Sequence, residues 1–250
     1  MKTNQLTCRW LPAALAGALL LPMQAAVIVN GGFESGFAGW TRVNQFGSEG
    51  TFQLQTGIVS PVNNFPVPAP PSGTAAMTDA AGPGSHVLYQ DFVVPVSFTG
   101  YSVGFSLFIN NGALDFFTPS TLDFSTPALN QRARVDIVKT SADPFSLAAG
   151  DILQNLFETT PGSPLVSGYN NLQVDTTTLF QANQGATLRL RFAEIDNVAP
   201  FNLGVDNVDI QLSTSVPDTL PWLMQWVTVG GVVVVGAVRR RRDRIGNTRR

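Results

Sequence analysis

Thr187-Leu188-Arg189-Leu190-Arg191-Phe192-Ala193-Glu194 alternates apolar and charged side chains. Successive strand residues point to opposite faces, so Leu188, Leu190 and Phe192 share one face and Arg189 and Arg191 take the other. Arg132-Ala133-Arg134-Val135-Asp136-Ile137-Val138 repeats the pattern, with Val135 and Ile137 opposite Arg134 and Asp136. Thr51–Gln55, His86–Val94, Tyr101–Ile109 and Val205–Leu212 are further strands, punctuated by Gly, Pro and Asn clusters. One short helix is expected within Asp143–Phe157, where Leu147, Ile152, Leu153 and Leu156 fit a loose helical face interrupted by Gly150. The Pro-rich stretch Pro61–Pro71 reads as a surface loop. Many short strands with one helical insertion predict an all-β chain, a β-sandwich of jelly-roll type, over residues 27–215.

The 250 residues are 44% hydrophobic and 13% charged, with 23 Gly and 17 Pro, enough for one sizeable, turn-rich core. A net charge of -2 conceals three unlike parts. Residues 1–26 carry Lys2 and Arg9 and no acid; residues 27–238 carry 6 basic and 16 acidic side chains; residues 239–250 carry 7 Arg against Asp243. The central part would repel phosphate, which argues against a nucleic-acid partner.

Both ends read as targeting segments. Residues 1–26 have the form of a secretory signal peptide: the basic residues Lys2 and Arg9, a short apolar run over Trp10–Leu21, and small residues at Ala25 and Ala26. Cys8, the only cysteine, precedes that run, so removal of the leader leaves a chain without thiol or disulfide. Residues 216–250 place Val216-Pro217-Asp218-Thr219 before an apolar span, Leu220–Val238, and then Arg239–Arg242. Nineteen helical residues reach roughly 28 Å, near the thickness of a bilayer core, with the arginines on the cytoplasmic side.

That order of motif, span and arginine cluster resembles the C-terminal sorting signals of exosortase-dependent bacterial proteins, the PEP-CTERM class. Here Pro217-Asp218-Thr219-Leu220-Pro221 stands where the class usually has Pro-Glu-Pro. The resemblance implies export with signal peptidase and an exosortase-like membrane enzyme as partners. It further implies transient residence in the inner membrane, then release or attachment at the cell surface or in extracellular polysaccharide.

Asn30-Gly31-Gly32-Phe33-Glu34 followed by Gly39-Trp40, and Gly204-Val205-Asp206-Asn207-Val208-Asp209-Ile210 near the other end, resemble the first and last strands of galactose-binding-like β-sandwiches. In that family a carboxylate from each end helps hold a structural calcium ion, which by position implies Glu34 and Asp206. Calcium is a hard cation that takes six to eight oxygen ligands, so the residue types suit it.

Catalytic chemistry is sparse. His86 is the only histidine, and its neighbour Ser85 would point to the opposite face, so the pair reads as a loop leading into a strand rather than as a hydrolytic triad. A catalytic zinc site usually needs several His or Cys ligands. Asp115, Asp123, Asp136, Asp175, Glu194, Asp196 and Asp209 are carboxylates that read as solvated surface or turn residues, and no sequence feature joins any two for glycosidic chemistry. Sugar binding favours aromatic platforms; Trp40 and Tyr169 are the candidates, Trp40 reading more as core and Tyr169 as an exposed loop residue. The expectation is a non-enzymatic secreted or cell-surface matrix protein, with a carbohydrate-binding module for envelope or exopolysaccharide glycans as the alternative.

Overall fold

The computed structural model describes residues 26–61, 63–79 and 82–214. The sorting motif Val216 to Thr219, the apolar span 220–238, the arginine tail and the leader up to residue 25 lie outside the described residues.

Ten strands and one short helix run in the order β1 (Thr41–Asn44), β2 (Thr51–Gln55), β3 (Ala75–Asp79), β4 (Gly84–Val93), β5 (Gly100–Asn111), β6 (Gln131–Lys139), β7 (Ile152–Glu158), β8 (Asn170–Asp175), α1 (Thr177–Ala182), β9 (Thr187–Asp196) and β10 (Phe201–Ser213). They form two antiparallel five-stranded sheets, a β-sandwich: β1-β4-β9-β6-β7 in the first and β2-β3-β10-β5-β8 in the second. The chain crosses between sheets at nearly every connection, so most of its pairings are non-local.

Alternation explains the layers. Leu188, Leu190 and Phe192 of β9 and Val135 and Ile137 of β6 face inward. They meet Val103, Phe105 and Leu107 of β5 and Leu203, Val205 and Ile210 of β10. Phe105 and Phe192 join the sheets edge to face at 5.8 Å between ring centroids. Helix α1 closes one end by burying Phe180 against Phe92 and Tyr101.

The Asp143–Phe157 segment holds turns and then β7, and the short helix lies instead at α1. Arg191 supplies the reason. Its side chain is fully buried on the outer face of the first sheet, where Nη1 donates to the carbonyls of Pro144 at 2.9 Å and Ser146 at 2.8 Å. A helix would have consumed such carbonyls in its own ladder. Beyond the turns, β7 pairs with β6 from Val138↔Ile152 to Arg134↔Glu158.

The charged outer face is therefore not solvated as its pattern suggested. Asp136, completely buried, accepts from Arg134 Nε at 2.7 Å and Nη2 at 2.6 Å, from Arg191 Nη2 at 2.7 Å, and from Asn155 Nδ2 at 2.9 Å. Burial pushes the Asp136 carboxyl up, but the hydrogen bonds and charges of Arg134 and Arg191 outweigh it and leave the group below its ordinary value. Its contribution to stability is thus present above the ordinary carboxylate pKa of about 3.9 and disappears as pH falls through the lower folded value. Replacing Asp136 by Asn leaves the buried Arg191 guanidinium without its counter-ion and Arg134 with Glu158 alone. Denaturant unfolding at pH 7 is expected to show a loss of about 3–5 kcal/mol, shrinking towards strongly acidic pH; an unchanged midpoint would contradict the assignment.

Candidate functional site

The outer face of the second sheet carries a polar surface. Ser102, Gly104 and Ser106 alternate outward along β5, beside Asn171, Gln173 and Asp175 of β8 and Asp209 and Gln211 of β10. Gln173 Nε2 donates to Ser102 Oγ at 2.9 Å and to Gln211 Oε1 at 2.7 Å, and Gln211 Nε2 donates to Asp209 Oδ2 at 3.3 Å. Ser106 Oγ donates to Asn171 Oδ1 at 2.6 Å. Two open lobes, of about 610 Å³ and 350 Å³, share Gln173 and Gln211 and make one groove along this ladder. Gly104 forms its floor: a Cβ there would lie 2.3 Å from Asp209 Oδ1. The Thr177 hydroxyl and amide hold Asp175 below the ordinary carboxylate value, so the rim is anionic at neutral pH.

A bulge in β10 shapes this surface. Asp206 pairs with Ser106 and Asp209 with Gly104, so β10 has one more residue than β5 between those pairs. Asn207 takes the left-handed conformation at φ 51°, which Asn tolerates, and is turned outward towards Ser106 Oγ. Val208 loses its place in the ladder, and its N–H donates to Gly31 O at 3.0 Å. Gly31 admits no side chain, since a Cβ would sit 1.8 Å from Val208 O.

That docking brings Glu34 and Asp206 to a shared partner, Ser72. Ser72 Oγ lies 2.6 Å from Asp206 Oδ1, 3.2 Å from Gly32 O, 3.3 Å from Thr74 O and 3.5 Å from Glu34 Oε1. That hydroxyl proton can serve only one of the four; Glu34 also accepts from the Thr74 amide at 2.8 Å and hydroxyl at 3.2 Å, and Asp206 from the amides of Ser72 at 2.9 Å and Asn207 at 2.6 Å. Among the described residues no basic side chain forms an ion pair with either carboxylate. Burial, and with it repulsion from Glu34, push the Asp206 carboxyl upward against the hydrogen bonds from Ser72 and Asn207. An all-oxygen donor set of this kind fits a hard divalent cation.

Trp40 and Tyr169 are not exposed platforms. Trp40 is 7% exposed, packs on Phe33 at 5.2 Å and Phe192 at 6.0 Å, and donates from Nε1 to Asn30 O at 3.1 Å. Tyr169 is half-buried against Phe108, with its hydroxyl donating to Gln55 Oε1 at 2.7 Å. Burial, then the Asp206 charge, raise its pKa. Tyr169 does lie in the loop before β8, but its expected exposure is lost because the loop after β2 folds back over this part of the sheet, where Val67 joins Met77 and Phe108.

His86 is a buried strand residue of β4, not a loop histidine, and burial lowers its pKa from 6.5 to about 4. Ser85 Oγ donates to Leu122 O at 2.6 Å while His86 Nδ1 meets Asn44 Oδ1 at 2.9 Å, so the two side chains serve different neighbours. Asp136, Glu194, Asp196 and Asp206 are likewise buried rather than solvated. Their strand positions face the interior or a covering loop.

No protein-family model matches the sequence, and no curated protein matches it. Among solved structures, a carbohydrate-binding module of family 61 in complex with β-1,4-galactotriose aligns over 76% of this chain and 100% of its own, at 12% identity and a TM-score of 0.46. The K3 cleaved adhesin domain of Lys-gingipain from Porphyromonas gingivalis aligns over 74% and 98%, at 15% identity and 0.45. A family 11 carbohydrate-binding module from Clostridium thermocellum, in complex with a mixed-linked tetrasaccharide, aligns over 72% and 92%, at 12% identity and 0.38. These distant similarities leave the ligand of the present chain to be argued from its own residues.

Assigning Trp40 to the core has a measurable consequence. Trp40→Ala is expected to cost about 3–5 kcal/mol in chemical denaturation, as for large aromatic truncations in packed interiors. A surface platform at this position would lose less than about 0.5 kcal/mol.

Proposed function

We propose that the sandwich is a non-enzymatic carbohydrate-binding module that holds a neutral polysaccharide in the groove of its second sheet. The supporting observation is the exposed ladder of Ser102, Gln173, Gln211 and Asp209, continued by Asn171 and Asn207. Amide, hydroxyl and carboxylate groups match the alternating donors and acceptors of sugar hydroxyls. Asp175 and Asp209 would repel uronate or sulfate groups, so the ligand is uncharged. In the same reading the segment from Val216 to Arg250 is an exosortase-type sorting signal, and the module works outside the cell on envelope or matrix glycan.

The reading includes a structural calcium ion held by the Glu34 and Asp206 carboxylates with the Gly32 and Thr74 carbonyls. Bound there, calcium would neutralise the two carboxylates and tie the N-terminal loop to β10. Glu34 and Asp206 orient the loop, and Ser72 fixes the Asp206 carboxylate through its amide at 2.9 Å.

Two measurements test these proposals. Retardation of the protein in gels containing neutral soluble polysaccharides, set against gels with an anionic one, should show binding to a neutral polymer. Gln173→Ala and Gln211→Ala should each weaken it about tenfold, the equivalent of roughly one hydrogen bond, without changing the melting temperature. Equal migration of wild type and variants, or preference for the anionic polymer, would overturn the reading.

For the cation, calcium at about 100 times its Kd should raise the melting temperature by roughly 5–10 °C over chelator. Asp206→Asn and Glu34→Gln should abolish the rise. Wild-type melting that is indifferent to calcium would exclude the ion.

A further inference from the structure

At the other end of the sandwich, β4 and β9 bring three chemistry-bearing residues together on the inner face. His86 pairs with Glu194 and Gly84 with Asp196. One ring nitrogen of His86 and a carboxylate oxygen from each acid lie within 4.8 Å of one another, and all three residues are buried.

The histidine carries the observation that points to a ligand. Its Nδ1 lies 2.9 Å from Asn44 Oδ1. With that amide oxygen as the acceptor, Nδ1 bears the proton and Nε2 presents a lone pair. His86 is 0% exposed, and Nε2 has no hydrogen-bond partner. A Cβ at Gly84 would lie 2.3 Å from Nε2, so the ring stands over that glycine. The Gly84 N–H in turn holds Asp196 Oδ1 at 2.9 Å, which sets Nε2 and the Asp196 carboxylate on the same small patch. The Glu49 carbonyl also approaches this patch, 3.0 Å from the same Cβ position, and pulls the His86 pKa upward against burial, though no hydrogen bond of ordinary geometry reaches Nε2.

A buried imidazole whose far nitrogen is anchored by a side-chain oxygen, with its near nitrogen bare beside two carboxylates, has the arrangement of a metal ligand and its outer support. We propose that His86 Nε2, Glu194 and Asp196 bind one divalent first-row transition metal ion inside the sandwich. Imidazole nitrogen selects zinc-like ions over calcium, which separates this site from the all-oxygen cluster at Glu34 and Asp206. Zinc ligands in a tetrahedral set stand about 3.4 Å apart, so the side chains must close by about an ångström on binding. Asp196 also lines a cavity of about 140 Å³ bounded by Gly82, Pro83 and residues 197–200.

The chain's single histidine makes the test direct. Full-length protein without an affinity tag, labelled with 15N at histidine, freed of metal by chelation and saturated with calcium, is titrated with Zn²⁺. The expected result is one Zn²⁺ per chain by calorimetry, with the Nε2 resonance moving and saturating at one equivalent. His86→Gln should lower the zinc affinity by more than about 100-fold, exceeding the usual loss for an outer-shell change. Gly84→Ala, which crowds Nε2, should weaken it as well. Imidazole resonances that stay unmoved by Zn²⁺ in the wild-type chain would overturn the proposal, whether or not the variants fold. Undiminished zinc binding in folded His86→Gln would overturn it too.

Discussion

One extra residue in β10 governs much of this molecule. The central strand of the second sheet cannot keep its register with β5 past Asp206, and the bulge at Asn207 and Val208 absorbs the difference. The backbone N–H released from the ladder is buried and must find an acceptor. Gly31 O provides it, and only a residue without a side chain can approach so closely. The N-terminal loop is thereby fixed to the last strand, Glu34 arrives beside Asp206, and Phe33 enters the core despite its left-handed backbone at φ 56°. Burying the Phe33 ring against Trp40 and Phe37 offsets that strain. Beyond the bulge the same strand turns Asn207, Asp209 and Gln211 towards the groove. The Glu34–Asp206 cluster and the groove are two consequences of one irregularity.

The two sheets treat their outer faces differently. On the first, turns and loops close over Arg134, Asp136 and Arg191 and turn surface charges into an internal network that locks the connection between β6 and β7. On the second, the cover extends only as far as residues 56–72, and β5, β8 and the end of β10 stay open. A buried ion network of this kind favours one arrangement over others rather than adding much net stability. Here it forces the 140–151 turns to present carbonyls to Arg191. Rigidity is invested in the first sheet, and the second is left free for contact.

The sequence makes the sandwich legible because β9, β6, β5 and β10 alternate cleanly and bury one face. β1, β3, β7 and β8 are short or lie near sheet edges; Ala75–Asp79 and Asn170–Asp175 carry little periodic signal, and their pairing comes from tertiary partners. The loose helical spacing of Asp143–Phe157 misleads because leucines spaced for a helix occur in a turn followed by a strand. Glu34 and Asp206 are legible only through the motifs that bracket the domain. The groove was present as period-2 polarity at Ser102, Gly104 and Ser106, but polar outward residues look alike until neighbouring strands supply Gln173 and Gln211. The meeting of His86 with Glu194 and Asp196 depends on the β4–β9 register, which no local pattern specifies.

In the proposed reading, a groove with no exposed aromatic side chain among its described lining residues sets a bound on how such a module would work. Each neutral hydrogen bond to a sugar returns only about 0.5–1.5 kcal/mol after water is displaced. Three to five of them give about 4 kcal/mol, a Kd near 1 mM for one site. Retention at such strength requires repetition, either of sugar units along the polymer or of modules along a surface. When many weak sites engage one chain, the later contacts become intramolecular and avidity rises by about 10²–10⁴. An acidic module fixed in many copies among extended glycans would gain from weak contacts, because each can release and re-form as the polymer moves. Under the proposed carbohydrate-binding reading, the polar ladder would suit many weak contacts along a polymer better than capture of a free oligosaccharide.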